Sequence, residues 1–200
     1  MRDLLVNGLQ GFTWSNEPAV WELGSALEIQ TLPGTDYWQR THYGFQRDSR
    51  HFFHTALSGD FIVRVHVITF PAAQYDQCGL MVRVDAENWI KVSTEAETEA
   101  FSRLGSVVTN LGYSDWATQD VPATQTDVWY AIERSGADFV LSWSLDGREW
   151  RQMRIAHLLR CPIEIQVGVY ACSPQGEGFR CRVEALEVRV DDCAPDNRPG

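Results

Sequence analysis

Apolar and polar positions alternate along most of this chain. Phe61, Val63, Val65 and Val67 share one side of a run whose other side is Ile62, Arg64, His66 and Ile68. Phe139, Leu141 and Trp143 stand against Val140, Ser142 and Ser144. Ile163, Ile165, Val167 and Val169 stand against Glu164, Gln166, Gly168 and Tyr170. Side chains on a strand point to opposite faces with period two, so each run predicts a strand with one buried face, as antiparallel sheets have. The pattern predicts strands over 11–15, 19–22, 26–31, 51–57, 60–69, 77–84, 88–95, 102–110, 128–134, 138–144, 149–154, 164–171 and 178–190. Turn signals separate them, among them Pro33-Gly34, Ser58-Gly59-Asp60, Asp146-Gly147 and Gln175-Gly176. Arg151 to Arg160 is the one stretch that suggests a short helix or turn. Asp191 to Gly200 reads as a polar, frayed tail after a single domain over residues 1–190.

Many short strands at regular spacing predict an all-β sandwich of two antiparallel sheets, packed about 10 Å apart through their apolar sides. If one sheet curves, its polar side becomes a concave trough in which a ligand can sit.

Residues 75–95, YDQCGLMVRVDAENWIKVSTE, carry the most informative version of this pattern. Two runs flank the turn Asp85-Ala86-Glu87-Asn88. Cys78, Leu80, Val82 and Val84 share one face with Ile90 and Val92, while Gln77, Met81, Arg83, Trp89, Lys91, Ser93 and Glu95 share the other. Paired as a hairpin, cross-strand neighbours lie about 5 Å apart, which sets Gln77 near Glu95 and Arg83 near Trp89. Lys91 and Glu95 are four residues apart on one strand, about 13 Å by the rise per residue, too far for a direct ion pair but suited to gripping two ends of a ligand. Lys91 is the only lysine in the chain. A face mixing Gln, Met, Trp, Lys and Glu resembles a pocket wall more than a solvated surface.

Composition narrows the function classes. Hydrophobic content of 44% supports a packed core. A net charge of -10 with no basic run disfavours nucleic acid. No stretch approaches the roughly 20 apolar residues of a membrane helix, and the N-terminus lacks an apolar secretion-signal core. The five cysteines are odd in number and irregular in spacing, so reduced thiols in the cytoplasm are expected, although Cys172 and Cys181 can meet if their strands pair. Five scattered histidines predict no metal site, and no cofactor motif is present.

Two further segments extend the candidate site. GTDYWQRTHYGF, Gly34 to Phe45, brings Tyr37, Trp38, His42, Tyr43 and Phe45 together. Aromatic faces of this kind either stack on the C–H faces of sugars or cover a core. SVVTNLGYSDW, Ser106 to Trp116, reads as a strand ending in a polar aromatic loop that carries Asp115 and Trp116.

Taken together, TDYWQRTHYGF, the Gly59-Asp60-Phe61 turn, YDQCGLMVRVDAENWIKVSTE, SVVTNLGYSDW, SLDGREW and VYACSP follow one another as in domain-of-unknown-function family 1349, and the resemblance spans about residues 10 to 190. Cys78 departs from the small residue common at its position in that family. The resemblance implies a concanavalin A-like jelly roll, the fold of legume lectins, β-glucanases and accessory domains of family 43 glycosidases. It points to His42, Tyr43, Gln77, Lys91, Glu95, Asp115 and Trp116 as concave-face residues.

The leading expectation is a carbohydrate- or sugar-derivative-binding protein whose small-molecule or oligosaccharide ligand contacts Trp38, His42, Tyr43, Gln77, Arg83, Trp89, Lys91, Glu95, Asp115 and Trp116. An enzyme with Glu95 as acid/base and Lys91 steadying negative charge is the alternative. A regulatory interaction module is the third reading.

Overall fold

The computed structural model describes residues 11–190, together with the backbone of a short strand at Arg2–Asp3. The expected tail, Asp191 to Gly200, lies outside the described residues. In chain order the strands are β1 (Arg2–Asp3), β2 (Thr13–Ser15), β3 (Val20–Leu23), β4 (Leu27–Gln30), β5 (Tyr37–Gln39), β6 (Gln46–Asp48), β7 (His51–Ser58), β8 (Phe61–Phe70) and β9 (Gln77–Asp85). They continue with β10 (Asn88–Ala96), β11 (Phe101–Asn110), β12 (Tyr113–Pro122), β13 (Asp127–Ser135), β14 (Asp138–Ser144), β15 (Arg151–His157), β16 (Glu164–Cys172) and β17 (Arg180–Val190).

Two large antiparallel sheets form a jelly-roll sandwich. One runs β15-β14-β13-β8-β17-β4-β3, with β1 beside β17; the other runs β12-β11-β10-β9-β16-β7-β2. The alternating runs supply the space between them. Val63, Val65, Val67, Ile132 and Leu141 from the first sheet join Leu80, Val82, Ile90, Val92, Val167 and Val169 from the second in one buried cluster. Fully burying a side chain of this size contributes roughly 1.5–3 kcal/mol. Cys78 sits in this cluster as a packing residue, and Cys78, Cys161, Cys172 and Cys181 are all free thiols.

Three segments differ from the sequence reading. Arg151–His157 is an edge strand, as the pattern over 149–154 predicts and the helix-or-turn reading of Arg151 to Arg160 does not: its backbone pairs with β14 from His157↔Asp138 to Arg151↔Trp143. Tyr113–Pro122 is a strand rather than a loop. It returns along β11 through a two-residue turn, Leu111-Gly112, in which both residues take positive φ (53° and 78°). That is the geometry of a type I′ hairpin, usually marked by Asn-Gly, and Leu in its first position hides the signal. The short pair β5-β6 was not foreseen at all. It lies over the far side of the second sheet, where Tyr37, Trp38, Phe52, Met81, Trp89, Val107 and Tyr170 form a second, smaller apolar cluster. No helix among the described residues is long and apolar enough to cross a membrane.

Candidate functional site

The β9-β10 hairpin has the register that alternation implies, with Glu95 opposite Gln77 and Trp89 opposite Arg83. Lys91 stands between Met81 on β9 and Val107 on β11, so the hairpin's polar side faces away from the main core. Gly79 lies between Ser93 and Tyr170. A Cβ at Gly79 would come within 2.0 Å of the Val92 carbonyl oxygen, so only glycine fits there. Across this bare position Tyr170 Oη reaches 2.7 Å from Ser93 Oγ and donates to Gln77 Oε1 at 2.9 Å.

Gln77 is the hub of the site. Its Oε1 accepts from Lys91 Nζ at 2.9 Å and from Tyr170. Its Nε2 donates to the Tyr75 carbonyl oxygen at 3.1 Å and to Glu95 Oε2. All four hydrogen-bonding positions of the amide are used, and because an ammonium can only donate, the orientation of the amide is determined. Lys91 is 4% exposed and also donates to the Tyr37 carbonyl oxygen at 3.2 Å. Lys91 and Glu95 therefore do not grip opposite ends of a ligand; their side chains converge on one amide.

Burial pushes the Glu95 carboxyl up to about 7, with the nearby charges of Asp36 and Glu97 adding to the rise; Lys91 and the Gln77 hydrogen bond act against it. A carboxyl in this range exchanges its proton near neutral pH, as general acids and bases require.

Over this base lies a cavity of ≈ 280 Å³. Trp38, Tyr43, Phe45 and Trp116 wall one side. Trp38 meets Tyr43 edge-on at 5.4 Å between ring centroids and Trp116 at 6.4 Å, while Tyr43 stacks on Phe45 at 5.8 Å. The loop that carries Tyr43 is wound by positive φ at Arg40, His42 and Gly44. It is closed by Gly44 N donating to Arg40 O at 2.8 Å, and Trp38 Nε1 donates to Thr41 O at 2.9 Å. Arg40 ties the loop to the β11-β12 turn by donating to Gly112 O at 2.9 Å. Tyr75, Pro174 and Gln175 also line the cavity, from the turn before β9 and the segment after β16. Asp76 staples these two segments by accepting from Ala72 N, Ala73 N and Ser173 Oγ at 2.8, 2.9 and 2.6 Å. Asp36 completes the lining.

Of the residues singled out from sequence, Trp38, Tyr43, Gln77, Lys91, Glu95 and Trp116 line the cavity. Four others do not. His42 packs edge-on against Tyr43 at 4.8 Å and supports the wall. Arg83 donates to Tyr37 Oη at 2.8 Å and pairs with Asp48 at 3.1 Å, anchoring the β5-β6 pair. Trp89 is buried beneath Tyr37, ring centroids 4.2 Å apart. Asp115 points outward from β12 and pairs with Arg154 at 3.1 Å. Asp36, Tyr75, Val107 and Gln175 were not singled out, and Tyr170, which holds the hub from beneath, is a further residue that alternation alone does not mark. Among the described residues no group of three or more His, Cys, Asp or Glu is placed to hold a metal ion.

Comparison with known proteins agrees with this architecture. Residues 14–190 match the family described as "Protein of unknown function (DUF1349)". The chain is 32% identical over 169 residues, 84% of each chain, to "Regulation of enolase protein 1" of Saccharomyces cerevisiae. A crystal structure of a functionally unknown protein from Saccharomyces cerevisiae superposes with a TM-score of 0.85 at 30% identity, covering 91% of this chain and 97% of that one. At lower identity, 16% and 11%, the fold is shared with a Bacteroides ovatus xyloglucan-locus GH43B protein (TM-score 0.67, 90% of this chain, 36% of that one) and with the VIP36 exoplasmic/lumenal domain (TM-score 0.57, 93% and 87%). The jelly roll is thus similar to those of glycosidases and lectins, and the chain belongs to the DUF1349 family.

Proposed function

We propose that this protein binds the ring of a neutral sugar or sugar derivative in the concave-face cavity. One observation carries the reading: an aromatic wall of Trp38, Tyr43 and Trp116 stands over a base where a single amide holds an ammonium and a carboxyl side by side. Aromatic faces meet the C–H faces of a sugar ring, and a fixed donor and acceptor at the base select its hydroxyls. The volume, ≈ 280 Å³, lies just under the roughly 300–1,000 Å³ of ordinary ligand sites, which favours one ring over an oligosaccharide. The lining balances Lys91 against Asp36 and Glu95, so no strong excess of charge calls for a charged ligand. Four described thiols, all free, fit a cytoplasmic setting.

The test is isothermal calorimetry with a panel of neutral monosaccharides, read beside tryptophan fluorescence. Binding that weakens at least tenfold in Lys91→Met supports the reading. Absence of heat with every sugar between pH 5 and pH 8 would count against it.

A second reading, a regulatory interaction module, draws on the name of the yeast relative and on edge strand β3, where Val20, Trp21 and Leu23 are exposed. A β3 variant that loses a partner while sugar binding is intact discriminates the two.

A further inference from the structure

The two oxygens of Glu95 are not equivalent. Gln77 Nε2 donates to Oε2, and an N–H cannot accept, so a proton on Glu95 resides on Oε1. Among the described residues Oε1 has no hydrogen-bond partner, while Glu95 borders both the main cavity and a smaller recess beside it. That recess, ≈ 10 Å³, is lined by Lys91, Ser93, Glu95, Arg103, Gly105 and Ser106, among others. One water needs about 10–15 Å³ of such space and two to four polar partners. Lys91 spends two of its three N–H groups on Tyr37 O and Gln77 Oε1 and keeps the third for a ligand, while Ser93 Oγ and the Glu95 carboxyl can serve a water in the recess.

We propose that the protein hydrolyses the lactone ring of a sugar acid, with a water seated in this recess as nucleophile. The proposal rests on the sugar-ring reading of the cavity. Glu95 Oε1 takes a proton from the water as its oxygen bonds to the lactone carbonyl carbon. The carbonyl π electrons move onto the carbonyl oxygen, where the third N–H of Lys91 meets the developing charge. The tetrahedral centre then re-forms its carbonyl, the ring C–O bond breaks, and the departing ring oxygen takes the proton back from Oε1. Lactone and water become an open hydroxy acid, and Glu95 ends as it began. Lactone hydrolysis needs one titrating carboxyl and one cation close together, and Glu95 and Lys91 supply them on a single amide.

Since the base must be ionised, kcat rises as pH passes through about 7. Burial raises that value most; of the groups facing Glu95, Lys91 lowers it, Asp36 and Glu97 raise it, and the Gln77 hydrogen bond lowers it. Arg103 neutralises Glu97 through a 3.1 Å ion pair.

The experiment is a pH-stat assay with D-glucono-1,5-lactone and D-ribono-1,4-lactone as probes, measured above the buffer rate, with thermal midpoints for every variant. Glu95→Gln is expected to lower kcat about a hundredfold or more. Ser93→Thr, which keeps the hydroxyl and adds a methyl at the recess, is expected to lower kcat at least tenfold with calorimetric sugar binding unchanged. If Lys91→Met does not fold, these two variants carry the test. Sugar binding without lactone turnover overturns the hydrolytic proposal alone. Absence of both binding and turnover overturns the binding reading with it. Turnover that survives Glu95→Gln or Ser93→Thr in folded protein overturns the assignment of base and water seat.

Discussion

Lys91 Nζ lies 2.9 Å from Gln77 Oε1, and the only lysine of the chain is thereby held by a neutral amide, not by a carboxylate. Among the described residues it has no ion pair, and its other acceptor is the Tyr37 carbonyl oxygen. Its side chain is thus held by oriented dipoles rather than by a counter-charge. The same amide passes a hydrogen bond to Glu95, so the cation and the titrating carboxyl are coupled through one side chain.

Removing that side chain is therefore expected to cost more than one ordinary hydrogen bond. In Gln77→Leu the shape is nearly kept, but Lys91 and Tyr170 lose an acceptor and Glu95 loses a donor. Leaving buried polar groups unpaired costs about 1–3 kcal/mol each, more for a charge. We expect Gln77→Leu to lower unfolding free energy by roughly 3–5 kcal/mol in urea titration with an unchanged m-value. A loss under 1 kcal/mol would show that the hub is not rigid.

Glu95 also gives stability a definite pH dependence. Its folded value, about 7, is above the ordinary 4.5, so the folded state holds the proton more tightly than the unfolded chain. Its contribution is complete below about pH 4.5 and is lost as pH rises through about 7. Each pKa unit corresponds to about 1.4 kcal/mol, and about 2 kcal/mol is expected overall once solvent screening of a half-buried group is allowed for. Glu95→Gln, which cannot ionise, should match wild type near pH 4.5 and exceed it by that amount at pH 8. Parallel wild-type and Glu95→Gln stability curves across this range would contradict the assignment.

Much of this arrangement was legible before any coordinates. Period-two alternation located both faces of β9 and β10, and it set Gln77 opposite Glu95 because the turn between the runs is short. Alternation says which side a residue takes, not what covers that side. Trp89 and Arg83 share the face of Lys91, yet Tyr37, brought from β5, lies on Trp89 and accepts from Arg83. The docking of β5-β6 depends on contacts between distant residues, such as Gln39 N donating to Ser114 Oγ at 3.0 Å, and no local pattern encodes them. The Tyr75 position is hidden for a different reason: Tyr75 takes a left-handed conformation, φ 70°, that nothing in its side chain announces.

His51 is expected to act as a neutral strut between the Leu32 and Asn16 backbones. Its Nε2 accepts from Leu32 N at 2.9 Å, which requires Nδ1 to carry the proton and donate to Asn16 O. Burial lowers its pKa below the ordinary 6.5, against the Asn16 hydrogen bond. A lowered folded value means that the unfolded chain takes up the proton first, so stability is lost as pH falls below 6.5. Nitrogen-15 NMR should show the Nδ1–H tautomer, protonating at lower pH than an ordinary histidine. His51→Ala, which leaves Leu32 N and Asn16 O unpaired, should cost about 2–3 kcal/mol.

Tyr43 offers a separation of ligand binding from stability that the rest of the wall does not. It is 54% exposed, whereas its edge-on neighbour Trp38 is 8% exposed and bonded to Thr41 O. Truncating an exposed ring removes little buried area, so Tyr43→Ala should change unfolding free energy by no more than about 0.5–1 kcal/mol. Trp38→Ala removes a buried aromatic and should cost about 3–5 kcal/mol. Yet both rings line the same cavity, and an aromatic contact of this kind is worth about 0.5–1.5 kcal/mol to a ligand stacked on it. Calorimetry on Tyr43→Ala should therefore show sugar affinity reduced about two- to tenfold in a protein whose melting curve is nearly unchanged. Unaltered affinity would remove Tyr43 from the ligand's surroundings and shift the stacking surface to Trp38 and Trp116.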